Sequence, residues 1–205
     1  WIRTGENGYI IYNWNTENFV RDVRSWMWNI GIDGTPRHVF VDSQKNMWFA
    51  VDGKGCYRYS PEEKKADVLP FGEKGIPEGI IIDMIECKDG VVLVYDNGHV
   101  FCIDREEVKV KWELTEIMEE MGNRTDIFFL YVDKDEDLWI YGAPGVWAYN
   151  LPAKKWQSQW NFNDRGQAHV VAIAQDGQGR IWFGKDQDGI DIWNKATGKT
   201  VSLTY

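Results

Sequence analysis

Apolar residues in this chain run in short strings broken by Gly, Asp and Asn, and the arrangement comes round again. Near the C-terminus Val170-Val-Ala-Ile-Ala174 is followed by the turn Asp176-Gly-Gln-Gly179, the run Arg180-Ile-Trp-Phe-Gly184 and a polar loop. Gly189-Ile-Asp-Ile-Trp193-Asn194, the turn Ala196-Thr-Gly198 and a last run to Tyr205 complete the unit. Short apolar runs bounded by turn residues predict strands. Asp suits such turns because it bonds its own backbone, and Gly because it accepts positive φ. The unit reads as one four-stranded antiparallel blade, with the inner strand, His169 to Gln175, expected to be buried on both faces.

The unit recurs. An Asp six residues before a Trp occurs at Asp42/Trp48, Asp133/Trp139 and Asp176/Trp182; a degraded copy has Cys87 and Leu93 in those slots, and the chain opens on the Trp slot at Trp1. Successive Trp slots lie 47, 45, 46 and 43 residues apart. The third-strand phrase returns as Gly8 to Asn13, Gly55 to Ser60 and Gly145 to Asn150, and slips to Gly98 to Ile103 in the degraded copy. A strand-rich period in the forties predicts a β-propeller or a stacked β array. The expected fold is all-β, a β-propeller fragment of about four full four-stranded blades plus three strands of another. The blades fall at 1–20 (partial, lacking its inner strand), 36–71, 80–114, 126–160 and 169–205. Trp1 lies mid-repeat, so the natural N-terminus is expected to lie elsewhere and this stretch to be a piece of a longer chain. Unpaired edges at its ends are expected to drive self-association, such as a homodimer, or to leave an open arc completed by sequence outside this stretch.

The slot Trp is read as packing, because a blade cannot bury its faces alone and stacks on its neighbours. Leu93 fills that slot less completely, so the blade at 80–114 is expected to be the least well packed. Asp42, Asp133 and Asp176 are read as turn residues. The connectors 21–35, 72–79, 115–125 and 161–168 vary most and share one rim, opposite the Asp turns. Leu114, Ile117, Met118 and Met121 recur at helical spacing, with Thr115 placed to cap the start and Gly122-Asn123 the end.

Composition narrows the function. The chain has 205 residues, 43% hydrophobic and 15% aromatic, with 12 Trp, enough to build a core. A net charge of -9 argues against nucleic acid as a partner, which needs a basic face. No apolar run approaches the roughly 20 residues of a membrane span, so no direct membrane insertion is expected. Cys56, Cys87 and Cys102 form no metal-binding pattern; Cys87 and Cys102, on the first and third strands of one blade, should lie about 10 Å apart, too far for a disulfide. His38, His99 and His169 share no metal spacing, and no phosphate-binding loop precedes a helix, so neither a metal nor a cofactor is expected. A hydrolase needs paired carboxylates or an activated nucleophile. With 32 acidic residues such pairs are uninformative, and no catalytic residue stands out.

The run Val170 to Gly184, followed by Gly189 to Asn194 and Thr197-Gly198, closely resembles the two-component regulator propeller repeat. The blades of Trp48 and Trp139 resemble it well and that of Leu93 poorly; Ala50 and Tyr141 stand where the repeat has the small Gly of Gly184. The resemblance implies the periplasmic sensor region of a hybrid two-component receptor. Such a receptor continues through an inner-membrane helix to a histidine kinase in the rest of its chain, and often senses an oligosaccharide. It transfers no ligand residues, because the repeat motif is structural. Ligand contacts are therefore sought in the connectors, where aromatic faces and polar groups suit sugars. Trp26 and Trp28 stand beside Arg21, Arg24 and Asn29, and Trp160 beside Asn161, Asn163, Arg165 and His169. The expected ligand-binding residues are Trp26, Trp28, Trp160, Arg165 and His169. A purely structural propeller half, or a fragment of a propeller carbohydrate-active enzyme, are the alternatives.

Overall fold

A computed structural model describes residues 1–4, 8–73, 75–157 and 169–204. It has five antiparallel sheets, each a simple meander in chain order. The first has three strands, β1 (Ile2–Arg3), β2 (Tyr9–Asn13) and β3 (Asn18–Val20). The second holds β4 (Pro36–Val41), β5 (Met47–Val51), β6 (Gly55–Ser60) and β7 (Lys65–Pro70). The third holds β8 (Ile81–Cys87), β9 (Gly90–Tyr95), β10 (Val100–Ile103) and β11 (Val110–Leu114). The fourth holds β12 (Phe128–Val132), β13 (Asp137–Gly142), β14 (Gly145–Asn150) and β15 (Lys155–Trp156). The fifth holds β16 (Val170–Gln175), β17 (Arg180–Lys185), β18 (Ile190–Asn194) and β19 (Thr200–Leu203). The all-β fold, with four four-stranded blades and three strands of another, is the one the repeat predicts.

The recurring Gly at the head of the third strand has a steric cause. Gly55 and Gly189 sit at φ of 116° and 76°, and a Cβ there would meet the carbonyl oxygen of Leu69 at 2.2 Å or of Leu203 at 2.0 Å. Only a residue without a side chain lets the fourth strand pass so close at that φ.

The core lies between the blades. Trp48 and Trp139 are fully buried, each facing the next sheet. Burying an indole removes roughly 150–250 Å² from water, an upper bound of about 4–6 kcal/mol each at ~25 cal/mol/Å². Trp182 departs from this pattern: it is half-buried, because the outward face of the fifth sheet has no neighbour among the described residues. The same exposure corrects the expectation for β16, whose Val171 is 51% exposed and which is therefore buried on one face only.

The expected weakness of the Leu93 blade is also corrected. All of β9 and β10 is buried. Register puts Val92 rather than the expected Leu93 in the place of Trp48, and Leu93 turns to the preceding blade, both 0% exposed. This blade has a neighbour on each side, and its Val91, Val92, Val94 and Cys102 interdigitate with larger residues from both. Position in the array outweighs the size of one side chain. Cys56, Cys87 and Cys102 are buried free thiols.

The six-residue Asp/Trp spacing proves to be a hydrogen bond. Asp42 Oδ1 accepts from the backbone N–H groups of Gln44 and Asn46, closing the turn, while Oδ2 accepts from Trp48 Nε1 at 2.9 Å. Asp133 does the same for Asp135, Asp137 and Trp139, the indole at 3.0 Å. Asp176 repeats it with Gln178, Arg180 and Trp182, the indole at 2.9 Å. The indole N–H of Trp182 and the Arg180 guanidinium hold the Asp176 carboxyl well below its ordinary pKa.

Neighbouring blades are latched at the Asp-turn rim. The residue preceding the Asp slot accepts the N–H of the residue following the slot in the blade before. Ser43 N donates to Glu86 Oε2 and Lys134 N to Gln175 Oε1, both at 2.8 Å. Between the third and fourth sheets that position is Val132, which cannot accept, and Glu136 takes the Lys88 N–H at 3.3 Å instead. Lys195 ties the fifth sheet to the fourth: its ammonium donates to Asp133, Asp135 and Asp137, each at 2.7 Å.

Two connectors are helical. α2 (Glu116–Met121) is the predicted helix, stopped at Gly122 with φ 63°. Its Thr115 makes no side-chain cap; the hydroxyl donates to Glu119 Oε1 at 3.0 Å. α1 (Val23–Asn29) was not anticipated.

Candidate functional site

α1 presents the candidate surface. Asp22 caps it, accepting from Ser25 N at 3.0 Å and from the Ser25 hydroxyl at 2.7 Å, and these contacts lower the Asp22 pKa. Val23 and Met27, one turn apart, are buried against Phe49 and Val51 of the second sheet. At about 100° per residue, Trp26 and Trp28 point roughly 200° apart around the helix. Trp26 therefore turns inward, half-buried, with ring centroids 5.0 Å from Trp1, 6.3 Å from Phe49 and 6.4 Å from Tyr59. Trp28 turns outward and is 68% exposed. It lines an open cavity of about 250 Å³ with Arg24, Ser25, Asn29, Asp33 and Gly34. Asp33 is held there by Lys54 Nζ at 3.0 Å, which lowers its pKa. Arg24 is shared with a second cavity of about 350 Å³ that Tyr9, Arg21 and Thr35 also line. An exposed indole face beside a guanidinium, an amide and a carboxylate can stack on a ring and hydrogen-bond its substituents.

The other candidates do not join Trp28. His169 precedes β16, in the fifth sheet, and its backbone N–H donates to Asp186 Oδ1 at 2.9 Å. Its ring Nδ1 is buried without a partner among the described residues, and the ring lines neither cavity. Trp160 and Arg165 lie outside the described residues.

Sequence reasoning missed a polar cluster on the inner strands. His38 Nε2 lies 3.3 Å from Asp83 Oδ1, with both side chains about four-fifths buried. Asp83 also accepts from Met84 N and, across to β12, from Leu130 N, both at 2.9 Å, so one carboxylate ties β4, β8 and β12. Burial lowers the His38 pKa to about 4, with Arg3 adding to the effect. Burial raises Asp83 to about 6 against the opposing pull of the two N–H donors. At neutral pH the pair is a neutral imidazole on an anionic carboxylate. His38 and Asp83 each stand four residues before the Asp slot of their repeat, at Asp42 and Cys87, and each follows a bulge at the same point of the inner strand. The sequence marks the equivalent positions but not their contact.

Residues 165–184 match the family model of the two component regulator propeller. No curated protein matches the chain significantly. Among solved structures, the extracellular domain of BT3049 from B. thetaiotaomicron, described as a hybrid two component system, is 17% identical at a TM-score of 0.65, over 100% of this chain and 26% of that one. That of BT4673 from the same organism, described as a one component system, is 15% identical at 0.66, over 97% and 28%. PorZ, a surface component of the type-IX secretion system of Porphyromonas gingivalis, is 12% identical at 0.61, over 80% and 22%. The chain thus spans about a quarter of the length of these structures, and at such identities the likeness is one of fold. Among the described residues no helix is long and apolar enough to cross a membrane. The chain is a run of β-propeller blades that carries the two component regulator propeller repeat.

Proposed function

We propose that this chain is part of the ligand-sensing propeller of a periplasmic, membrane-anchored two-component receptor. It detects an oligosaccharide and passes the signal to a histidine kinase in the rest of the receptor chain; no catalysis occurs in these residues. The observation that carries the reading is Trp28, a large aromatic ring left 68% exposed on a connector helix whose other apolar residues are packed. Arg24, Asn29 and Asp33 around it supply donors and an acceptor for sugar hydroxyls or acidic substituents. The repeat itself supports the sensor setting. Trp26 is a packing residue in this reading, and the ligand surface is built on Trp28.

Calorimetric titration with a panel of neutral, uronic and sulfated oligosaccharides tests it. Trp28→Ala is expected to weaken binding by about 1–3 kcal/mol, tens-fold or more, with the melting temperature unchanged. Trp26→Ala is expected to lower stability instead. A panel in which no glycan binds, or in which every glycan that binds the parent binds Trp28→Ala equally well, would sink the proposal.

A further inference from the structure

We infer a second ring-binding cleft at the outer edge of the junction between the third and fourth blades, built for one uncharged pyranose unit. It rests on the oligosaccharide reading but on different residues. An open cavity of about 190 Å³ lies there, lined by Asp89, Lys111, Trp112, Glu113, Tyr149 and Lys154. Trp112 and Tyr149 come from facing blades; their ring centroids are 6.3 Å apart and their planes are inclined by 37°. Both rings are half-buried.

The rings are braced from behind. Trp112 Nε1 donates to Asp89 Oδ2 at 3.3 Å, Lys111 Nζ donates to the Asp89 carbonyl at 2.9 Å, and Trp156 meets Tyr149 edge-on at 5.2 Å. Glu113 reaches the cleft only with its backbone side: its carboxylate turns to the opposite face of β11, where it meets His99 Nε2 at 3.0 Å.

The repeat supplies an internal control. Cys102 and Trp112 are cross-strand partners in the third blade, in the place that Arg58 and Asp67 hold in the second. There the Arg58 guanidinium pairs with Asp67 at 2.8 Å and donates to the Arg105 carbonyl of the next blade, filling the junction edge. The same place between the third and fourth blades carries aromatic rings and remains open.

The lining selects the ligand. Asp89 and Lys111 face each other at 3.7 Å and offset each other's charge, and Lys154 supplies a donor at the rim, so the aromatic faces are the main attractant. Acceptors and donors around aromatic faces suit a ring with C–H surfaces and hydroxyls at its edge. The volume is below the roughly 300 Å³ at which common ligand pockets begin, which limits the occupant to one ring of a chain.

Saturation-transfer NMR and calorimetry with neutral hexaoses of glucose, mannose and galactose test the cleft on four proteins: the parent chain, Trp28→Ala, Tyr149→Ala and Tyr149→Phe. The expected result is binding of at least one hexaose that survives Trp28→Ala and Tyr149→Phe and weakens tenfold or more in Tyr149→Ala. Lys154→Glu, at an exposed position that leaves the core intact, is expected to weaken it severalfold if Tyr149→Ala fails to fold. Binding unchanged in Tyr149→Ala and Lys154→Glu, or abolished by Trp28→Ala, overturns the cleft and leaves the Trp28 reading standing. If no neutral hexaose binds the parent chain, the cleft is overturned; a uronic or sulfated glycan that still requires Trp28 then preserves the sensor reading.

Discussion

Asp42 answers two demands with one carboxylate. One oxygen closes a turn, and the other meets the indole N–H of a Trp with no access to water. Removing it leaves that N–H and two turn amides without acceptors. Asp42→Ala is therefore expected to cost about 2–4 kcal/mol in urea denaturation, since each buried orphan costs roughly 1–3 kcal/mol and the turn amides have partial recourse to water. Placing Leu at the Trp slot removes the donor. The double variant Asp42→Ala/Trp48→Leu is expected to fall short of the sum of the single effects by about 0.5–3 kcal/mol. Strict additivity would show that the hydrogen bond contributes nothing. The bond was within reach of the sequence, because the third repeat lacks both partners. It has Cys87 in the Asp slot and Val92 in the place of Trp48, opposite Ile85 and Cys102 as Trp48 is opposite Phe40 and Arg58. A turn residue and an independent packing residue have no reason to be lost together.

Strands and turns were legible because each is decided locally, by short apolar runs and by Asp and Gly at fixed offsets. α1 was equally local, with Asp22 three residues before Ser25 and Val23 one turn before Met27, but it was hidden in a segment read as a variable connector. The helical angle that separates Trp26 from Trp28 follows once that helix is seen. What the chain could not reveal was contact between elements. The His38–Asp83 pair joins residues 45 apart on different strands, and only the stacking of blades brings them together. Its pH dependence follows from the two shifts. Asp83, raised from 3.8 to about 6, makes stability fall as pH rises between those values. His38, lowered from 6.5 to about 4, makes stability rise as pH rises between about 4 and 6.5. The two slopes oppose each other, so the parent pair contributes a nearly flat profile from about pH 4 to 6. His38→Gln is expected to unmask a decline over that range, of up to about 1.4 kcal/mol per pH unit. Asp83→Asn is expected to unmask a rise. Chemical denaturation at several pH values distinguishes the two, and parallel profiles for both variants would refute the opposed shifts that burial imposes on the two groups.

Across the whole molecule, burial is greatest in the middle and thins toward the ends, and this is why Leu93 is better enclosed than Trp182. The fifth blade relies on its junction with the fourth. Burial works against the charge on Lys195, yet Asp133, Asp135 and Asp137 raise its pKa above the ordinary value. Lys195→Met strands the buried carboxylates of Asp133 and Asp137, an imbalance expected to cost about 3–5 kcal/mol. Hydrogen exchange should then quicken in β16 to β19 before β8 to β11; uniform loss of protection would mean that Lys195 is no local tie. The Asp–Trp bond has a consequence on the timescale of descent. Either partner changed alone leaves a blade with a defect that its sequel repairs, so the two positions are inherited as one trait. A repeat that has lost both, as the third has, is released from that constraint and free to diverge. The most decayed repeat in the chain is thus also its most enclosed blade, and loss of the pair there has not loosened the fold.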